Sequence, residues 1–307
     1  MPRFSGVIPP VVSPMLAPDQ LDSAAVSAIV EHLISGGVSG LFVLGTTGEG
    51  PSLTYQMRYE MVELTCKAAN GRIPVFVGVT DTCLAESIAL SEHAARCHAT
   101  AIVAAAPFYF EVPQRNLESW FSDLATASPL PLMLYNMPSC VGIVMSPEIV
   151  DSLSHHPNII GIKDSGGDMG YFESLCKRHG GREDFLIFMG PEDRLAEAVA
   201  LGAAGGVCGG ANLLPLAYTS LYKAACRGDH AVVAECNDVI QRVFEFVYRD
   251  DDGQMKLIPG LKRAMHEVGL CRPIVAPPLS LVTDLHASRI CKALPEFTAT
   301  PELRFST

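Results

Sequence analysis

Short β-type runs alternate with longer amphipathic stretches along most of this chain, and that alternation limits the folds open to it. The candidate strands are Val7–Val12, Gly40–Leu44, Pro74–Val79, Ala101–Ala105, Leu132–Tyr135, Ile159–Lys163, Phe185–Met189 and Gly205–Cys208. Between them lie segments such as Ser23–Ile34, Tyr55–Ala69 and Leu84–Cys97. These carry apolar residues at three- and four-residue spacing, as helices with one buried face do. Most of the strands are apolar on both faces, as expected of a parallel sheet covered by helices. About eight such units over roughly 225 residues predict an α/β fold, a (β/α)8 TIM barrel. The structural rival is an open doubly wound sheet, whose nucleotide-binding form wants GxGxxG after an early strand. Here the glycine-rich GAAGGVCGGAN (202–212) comes late and leads into a strand.

From about Cys226 the alternation stops. His230–Tyr248 and Met255–Val268 read as helices joined by the acidic turn Arg249–Gly253, and a third helix is expected near Leu281–Leu294. The predicted organisation is a barrel over 1–225 and a C-terminal helical region over 226–307. No low-complexity linker separates them, so the helical region is expected to pack on the barrel.

With 307 residues, 49% of them hydrophobic, the chain can bury a large core. No stretch offers the roughly 18 uncharged apolar residues that span a bilayer. The N-terminal MPRFSGVIPPVV carries Arg3 but no long apolar run, so it does not read as a secretory signal. A formal net charge of −11 without a long Lys/Arg cluster argues against a nucleic-acid face and fits a cytoplasmic protein with no membrane partner. It does not identify a substrate, because a local site can bind anions inside an acidic protein. Ten scattered cysteines without a CxxC are expected to be reduced and mostly buried. Nine histidines are equally dispersed, and His155-His156 lacks the i,i+4 spacing of a helical metal site. No metal and no other cofactor is predicted.

In such a barrel, functional residues collect at the C-terminal ends of strands. Three patterned stretches fall there: LGTTGEG (44–50), LYNMP (134–138) and IKDSG (162–166). The last places Lys163 at the end of an apolar strand, where a charge is costly to bury. It can be a structural charge that pairs with Asp164 or reaches solvent. The sharper reading is a Schiff-base nucleophile: an amine attacks a carbonyl only when neutral, and apolar surroundings favour that form. The iminium so formed is an electron sink for breaking or making the adjacent carbon–carbon bond. That chemistry needs a proton shuttle, and Tyr135 ends the neighbouring strand. Tyr135 can equally be a core tyrosine, but the following Asn136-Met137-Pro138 favours a turn at the barrel mouth. The GTTGE turn brings backbone N–H groups and the hydroxyls of Thr46 and Thr47 together, which suits a small carboxylate. It lacks the lysine of a GxxxxGK[ST] phosphate loop, and an ordinary glycine turn is the remaining possibility.

GTTGE at 45–49, YNMP at 135–138 and GIKD at 161–164, in this order and context, resemble the dihydrodipicolinate synthase/N-acetylneuraminate lyase family over essentially the whole chain. The resemblance implies a class I, pyruvate-type Schiff-base enzyme on a TIM barrel, assembled as a homo-oligomer, a tetramer or a dimer. By position, Lys163 would form the imine with a 2-oxo acid and Tyr135 would be the general acid/base. Thr46 would pass protons. Thr47 would hold the carboxylate with amides of the same turn, Gly48 among them. Tyr109, in APFYF (106–110), matches a tyrosine that completes the proton relay across a subunit interface, and Val207 would face the site with its carbonyl.

Two positions depart from the pattern. Dihydrodipicolinate synthases carry an arginine where Cys140 stands, gripping the carboxylate of the second substrate. The sialic acid lyases use an acidic pair on sugar hydroxyls, where this chain has Glu192 and Asp193. Those two can do the same, or can simply sit as favourable charge at a helix start. GIKDSGGD, GGVC and IPGLK also resemble the 4-hydroxy-2-oxoglutarate aldolase branch; the carboxylate of glyoxylate is short enough for Ser165 or backbone amides to hold. The leading expectation is a lyase that splits a 4-hydroxy-2-oxo acid into pyruvate, or a related 2-oxo acid, and an aldehyde that is neutral or polyhydroxylated. The alternatives are a dihydrodipicolinate synthase-type condensation, a 2-oxo-3-deoxy-acid dehydratase using the same enamine, and a non-catalytic ligand-binding barrel. Fold alone does not separate these.

Overall fold

Eight parallel strands close on themselves: β1 (Gly6–Val7), β2 (Leu41–Val43), β3 (Val75–Gly78), β4 (Ala101–Ala105), β5 (Leu132–Asn136), β6 (Ile159–Asp164), β7 (Leu186–Met189) and β8 (Gly205–Gly206). The computed structural model describes residues 4–297; Arg3 and the last ten residues of the predicted helical region, 298–307, lie outside them. The sheet runs continuously from β2 through β8 to β1. A parallel bridge between Pro10 and Phe42 closes the seam between β1 and β2. There the Phe42 N–H donates to the Pro9 carbonyl (3.0 Å) and the Val11 N–H to the Phe42 carbonyl (2.8 Å). The helices Ser23–Ser35, Tyr55–Ala69, Leu84–Arg96, Gln114–Ala127, Pro147–Leu153, Met169–His179, Leu195–Ala200 and Pro215–Arg227 follow the strands in turn. Four of them start where a side chain caps a free N–H: Asp22, Thr54, Ser146 and Asp168. This is the (β/α)8 barrel that the alternation predicts.

Each strand faces two cores. Phe42, Phe76, Met133 and Phe188 belong to the packed barrel interior. Leu41, Val43, Leu132 and Leu134 belong to the layer between strands and helices. The first strand is shorter than the predicted Val7–Val12, because Pro9 and Pro10 have no N–H to continue a ladder. A hairpin, Met15–Ala17 with Gln20–Leu21, was not expected from the pattern. All ten cysteines are unpaired, but only Cys176, Cys208, Cys236 and Cys271 are buried, which corrects the expectation of mostly buried thiols.

One irregularity decides what β6 presents to the interior. Leu132 pairs with Ile159 and Met133 with Gly161, so Ile160 is an extra residue, a bulge. Ile159 and Ile162 face the helices, whereas Ile160 packs in the barrel interior. Strict alternation from Ile160 would turn Ile162 inward and Lys163 outward. The bulge resets the count, and Lys163 points in. Gly161 permits it: a Cβ there would come within 2.2 Å of the Leu186 carbonyl oxygen.

After the barrel come His230–Val243, which runs into a π-helical turn at Phe244–Tyr248, then Leu257–Glu267 and Asp284–Phe297. Lys262 leaves this region and enters the barrel side. Its ammonium pairs with the Glu49 carboxylate, and both side chains are fully buried. It also donates to the carbonyls of Ser13 (2.7 Å) and Ile274 (2.8 Å), while Glu49 Oε2 accepts from the Ala276 N–H (2.7 Å). Removing one partner of such a pair strands a buried charge. Lys262→Met should therefore lower the unfolding free energy by about 3–5 kcal/mol in urea denaturation. Adding Glu49→Leu to that variant should restore part of the loss, because no uncompensated charge then remains.

Candidate active site

The inward face of the β5 and β6 ends carries Tyr135 and Lys163, which pair in register across the sheet. Lys163 is 4% exposed. Its nitrogen lies 4.0 Å from the centre of the Tyr135 ring and 5.3 Å from that of Phe42. Among the described residues no carboxylate lies within 4.0 Å of it, so the structural ion pair with Asp164 does not form. Asp164 instead points away from the interior, where its Oδ1 accepts from Asn136 Nδ2 (2.7 Å) and the Gly166 N–H (3.0 Å). Burial pushes the Asp164 carboxyl above its ordinary range, and these two hydrogen bonds pull against that. Asn136 Oδ1 in turn accepts from the Met145 N–H (3.1 Å). Asn136 and Asp164 thus lock together the two strand ends that carry Tyr135 and Lys163. Both stand inside motifs the sequence singles out, but neither was expected to have this role.

Thr46 completes the cluster: its hydroxyl lies 3.2 Å from the Tyr135 hydroxyl, and either can donate. The turn that delivers it is tightly folded. Leu44 and Glu49 both adopt positive φ, 59° and 57°, a conformation costly for residues with a side chain. A Cβ at Gly50 would come within 2.1 Å of the Leu44 carbonyl oxygen, and one at Gly48 within 2.7 Å of the Val11 oxygen. Ser13 Oγ donates to the Gly48 carbonyl (2.7 Å). Thr47 is buried beside them. The turn is therefore held at Gly48 by the Ser13 hydroxyl and at Glu49 by Lys262.

The other predicted residues scatter around this cluster. Val207 is buried in the barrel interior, with its N–H bonded to the Met189 carbonyl (2.8 Å). Ser165 is half-buried, and its N–H donates to the Asn136 carbonyl (2.8 Å). Tyr109 has a φ of 99° and is 89% exposed, edge-on to Phe110; within one chain it does not reach the Thr46–Tyr135 pair. Cys140 is exposed on the short helix Pro138–Val141. It lines a cavity of about 460 Å³ with Thr46, Phe108, Tyr135, Met137 and Pro278. Among the described residues no cluster of three or more His, Cys, Asp or Glu side chains is arranged to hold a metal.

Glu192 requires a correction. The expectation that it reads substrate hydroxyls fails because its oxygens are already engaged. Oε1 accepts from the hydroxyls of Tyr218 (2.8 Å) and Tyr248 (2.9 Å), and Oε2 accepts from the Gly210 N–H (2.8 Å). The side chain is 4% exposed. Burial drives its carboxyl upward while the three hydrogen bonds oppose that shift. Asp193 is exposed and lies 3.8 Å from Arg194. Tyr218, Tyr248 and Asn212 were not foreseen. Asn212 ties the loop after β8 to the loop after β1, donating to the carbonyls of Pro10 (2.9 Å) and Gly209 (2.8 Å) and accepting from the Val12 N–H (3.1 Å).

The dihydrodipicolinate synthetase family model matches residues 3–296. The probable 2-dehydro-3-deoxy-D-pentonate aldolase YjhH of Escherichia coli (strain K12) is 35% identical over 239 residues, covering 77% of this chain and 79% of its own. Among solved structures, a dihydrodipicolinate synthase from Bacteroides thetaiotaomicron superposes with a TM-score of 0.92 at 40% identity, over 95% of this chain and 98% of that one. YagE from E. coli K12, solved in complex with pyruvate, superposes with a TM-score of 0.89 at 30% identity, over 96% and 98%.

Glu192→Ala should behave as a structural lesion. It leaves two hydroxyls and one amide buried without an acceptor, at roughly 1–3 kcal/mol for each group. Chemical denaturation should show that loss. A residue that only read substrate would instead change KM and leave stability intact.

Proposed function

The chain belongs to the dihydrodipicolinate synthetase family and is a lyase of the class I aldolase kind, and from that premise we propose that Lys163 forms the imine with pyruvate or a related 2-oxo acid. The observation that carries this reading is the placement of Lys163: inside the barrel, free of a carboxylate partner among the described residues, against the ring of a tyrosine whose hydroxyl meets Thr46. In the cleavage direction the Lys163 amine adds to the C2 carbonyl of a 4-hydroxy-2-oxo acid, and water leaves to give the iminium. Tyr135 takes the proton from the C4 hydroxyl. The C3–C4 bond breaks, its electron pair moves into the iminium, and the aldehyde departs. The enamine that remains takes a proton at C3, and water releases pyruvate from Lys163. Thr46 relays protons to and from Tyr135. The Thr47 hydroxyl and the amides of its turn, including that of Gly48, hold the 2-oxo acid carboxylate, with Ser165 and the Val207 carbonyl bordering the same space.

Tyr109 supports a further part of the proposal. A large aromatic ring that is 89% exposed beside Phe110, itself 76% exposed, fits an interface with a second copy of the chain. In a homo-oligomer, dimer or tetramer, that ring would extend the relay of the neighbouring site. The proposed setting is the cytoplasm.

A second reading is favoured by the likeness to the Bacteroides synthase: condensation of pyruvate with an aldehyde that carries its own carboxylate. The position expected to hold a guanidinium is Cys140, which is small and lacks the bidentate fork that grips a carboxylate. This weighs toward the aldolase.

Pyruvate with borohydride should leave a reduced three-carbon adduct on Lys163, located by mass spectrometry and absent from Lys163→Ala. An adduct on another lysine, with Lys163 unmodified, would overturn the assignment. Tyr135→Phe should keep the fold, since only a hydroxyl is lost, and reduce turnover by about 10²–10⁴-fold. Near-normal turnover would make Tyr135 a packing residue.

A further inference from the structure

We propose that the aldehyde end of the cavity is built for an uncharged apolar group, an alkyl or aryl aldehyde, rather than for a polyol or a second carboxylate. The proposal rests on the imine reading at Lys163 and concerns what lies beyond C4 of the substrate. Past the Thr46–Tyr135 pair, the wall is formed by Phe108, Met137, Cys140, Val141 and Pro278. Among the described residues no charged side chain lines this cavity. At about 460 Å³ it has room for a branched or aromatic fragment.

Of the polar side chains on the wall, Thr46, Thr80 and Tyr135 already have hydrogen-bond partners in the protein, and Ser52 sits exposed at the rim. Thr46 is in the hydroxyl pair with Tyr135. Thr80 Oγ accepts from the Ala105 N–H (2.9 Å). Both oxygens of Glu192 accept from protein donors, and Asp193 lies beside Arg194. Arg58 follows the Pro51–Ser52 rim in sequence and is the guanidinium attached to that rim. It bonds Asp81 (3.0 Å) and the carbonyls of Leu53 (3.2 Å) and Pro51 (3.3 Å), so its charge is neutralised in place. A polyol entering this space would give up water for few partners, whereas an alkyl or aryl group loses nothing by the transfer and gains contact with the wall. The expected full-length substrate is a 4-hydroxy-2-oxo acid whose C4 substituent is apolar. This narrows the sequence expectation of a neutral or polyhydroxylated aldehyde to the neutral case.

The test is initial-rate kinetics with pyruvate and, in turn, isobutyraldehyde, benzaldehyde, glyceraldehyde, glyoxylate and aspartate semialdehyde. The expected result is a kcat/KM for isobutyraldehyde or benzaldehyde at least about tenfold above each of the other three, the scale on which apolar pockets discriminate. Equal or higher kcat/KM for glyceraldehyde or either carboxylate would overturn the proposal. Aldehydes differ in intrinsic electrophilicity, so a second measurement removes that factor. In Cys140→Arg the ratio of kcat/KM for glyoxylate over isobutyraldehyde should rise at least about tenfold relative to the unsubstituted enzyme; Cys140 is exposed, so the fold should accept the change. An unchanged ratio would mean that this wall does not face the aldehyde. Borohydride trapping with pyruvate separates the two levels of failure. An adduct on Lys163 without preference for apolar aldehydes overturns this inference and leaves the imine standing; no adduct on Lys163 removes both.

Discussion

The Glu49–Lys262 pair is the constraint from which the rest of the site's geometry follows. A buried ammonium and a buried carboxylate each carry a large desolvation cost, so they hold only while paired and fully bonded. Here the ammonium reaches two carbonyls as well as Glu49, and the carboxylate also takes the Ala276 N–H. The pair joins the C-terminal helices to the turn that carries Thr46 and Thr47. Since that turn contains two residues at positive φ, its conformation needs outside support. The C-terminal region is in this sense a structural part of the barrel mouth, whatever its independence as a folding unit.

A second carboxylate, Glu192, does similar work for the loop after β8. Through Gly210 it anchors the loop after β8, and through Tyr248 it connects that loop to the π-helical turn of the C-terminal region. Charges around the barrel mouth are therefore committed to architecture. Lys163 differs: it faces two aromatic rings and, among the described residues, no carboxylate, which leaves its amine available to a carbonyl.

This division also shapes the substrate space. With Glu192, Arg58 and the Thr80 oxygen bonded to protein, the cavity beyond Tyr135 is lined mostly by apolar side chains. Reading residue types off a motif assigns each polar group to a ligand by default. Counting hydrogen bonds reverses some of those assignments: the buried Glu192 carboxylate already accepts three from the protein.

The amino-acid sequence by itself determined the barrel, since alternation of short doubly apolar runs with amphipathic helices is a local property repeated along the chain. It also singled out Lys163, Tyr135 and Thr46 as a set, because three short motifs carry them to strand ends. What it left open depended on contacts between distant segments. Lys262 meets Ser13 across 249 residues, and no local pattern announces that partner. Nor does an acidic pair at a helix start reveal which way its side chains turn; two tyrosines from later helices settled that for Glu192. Even the inward aim of Lys163 came from tertiary structure. Simple alternation from Ile160 would have pointed it at the helices, and a bulge at β6, allowed by the close approach of Gly161 to Leu186, turned it into the barrel. Periodicity and composition act within a few residues, whereas register, burial and hydrogen-bond satisfaction are set only when the whole chain has closed.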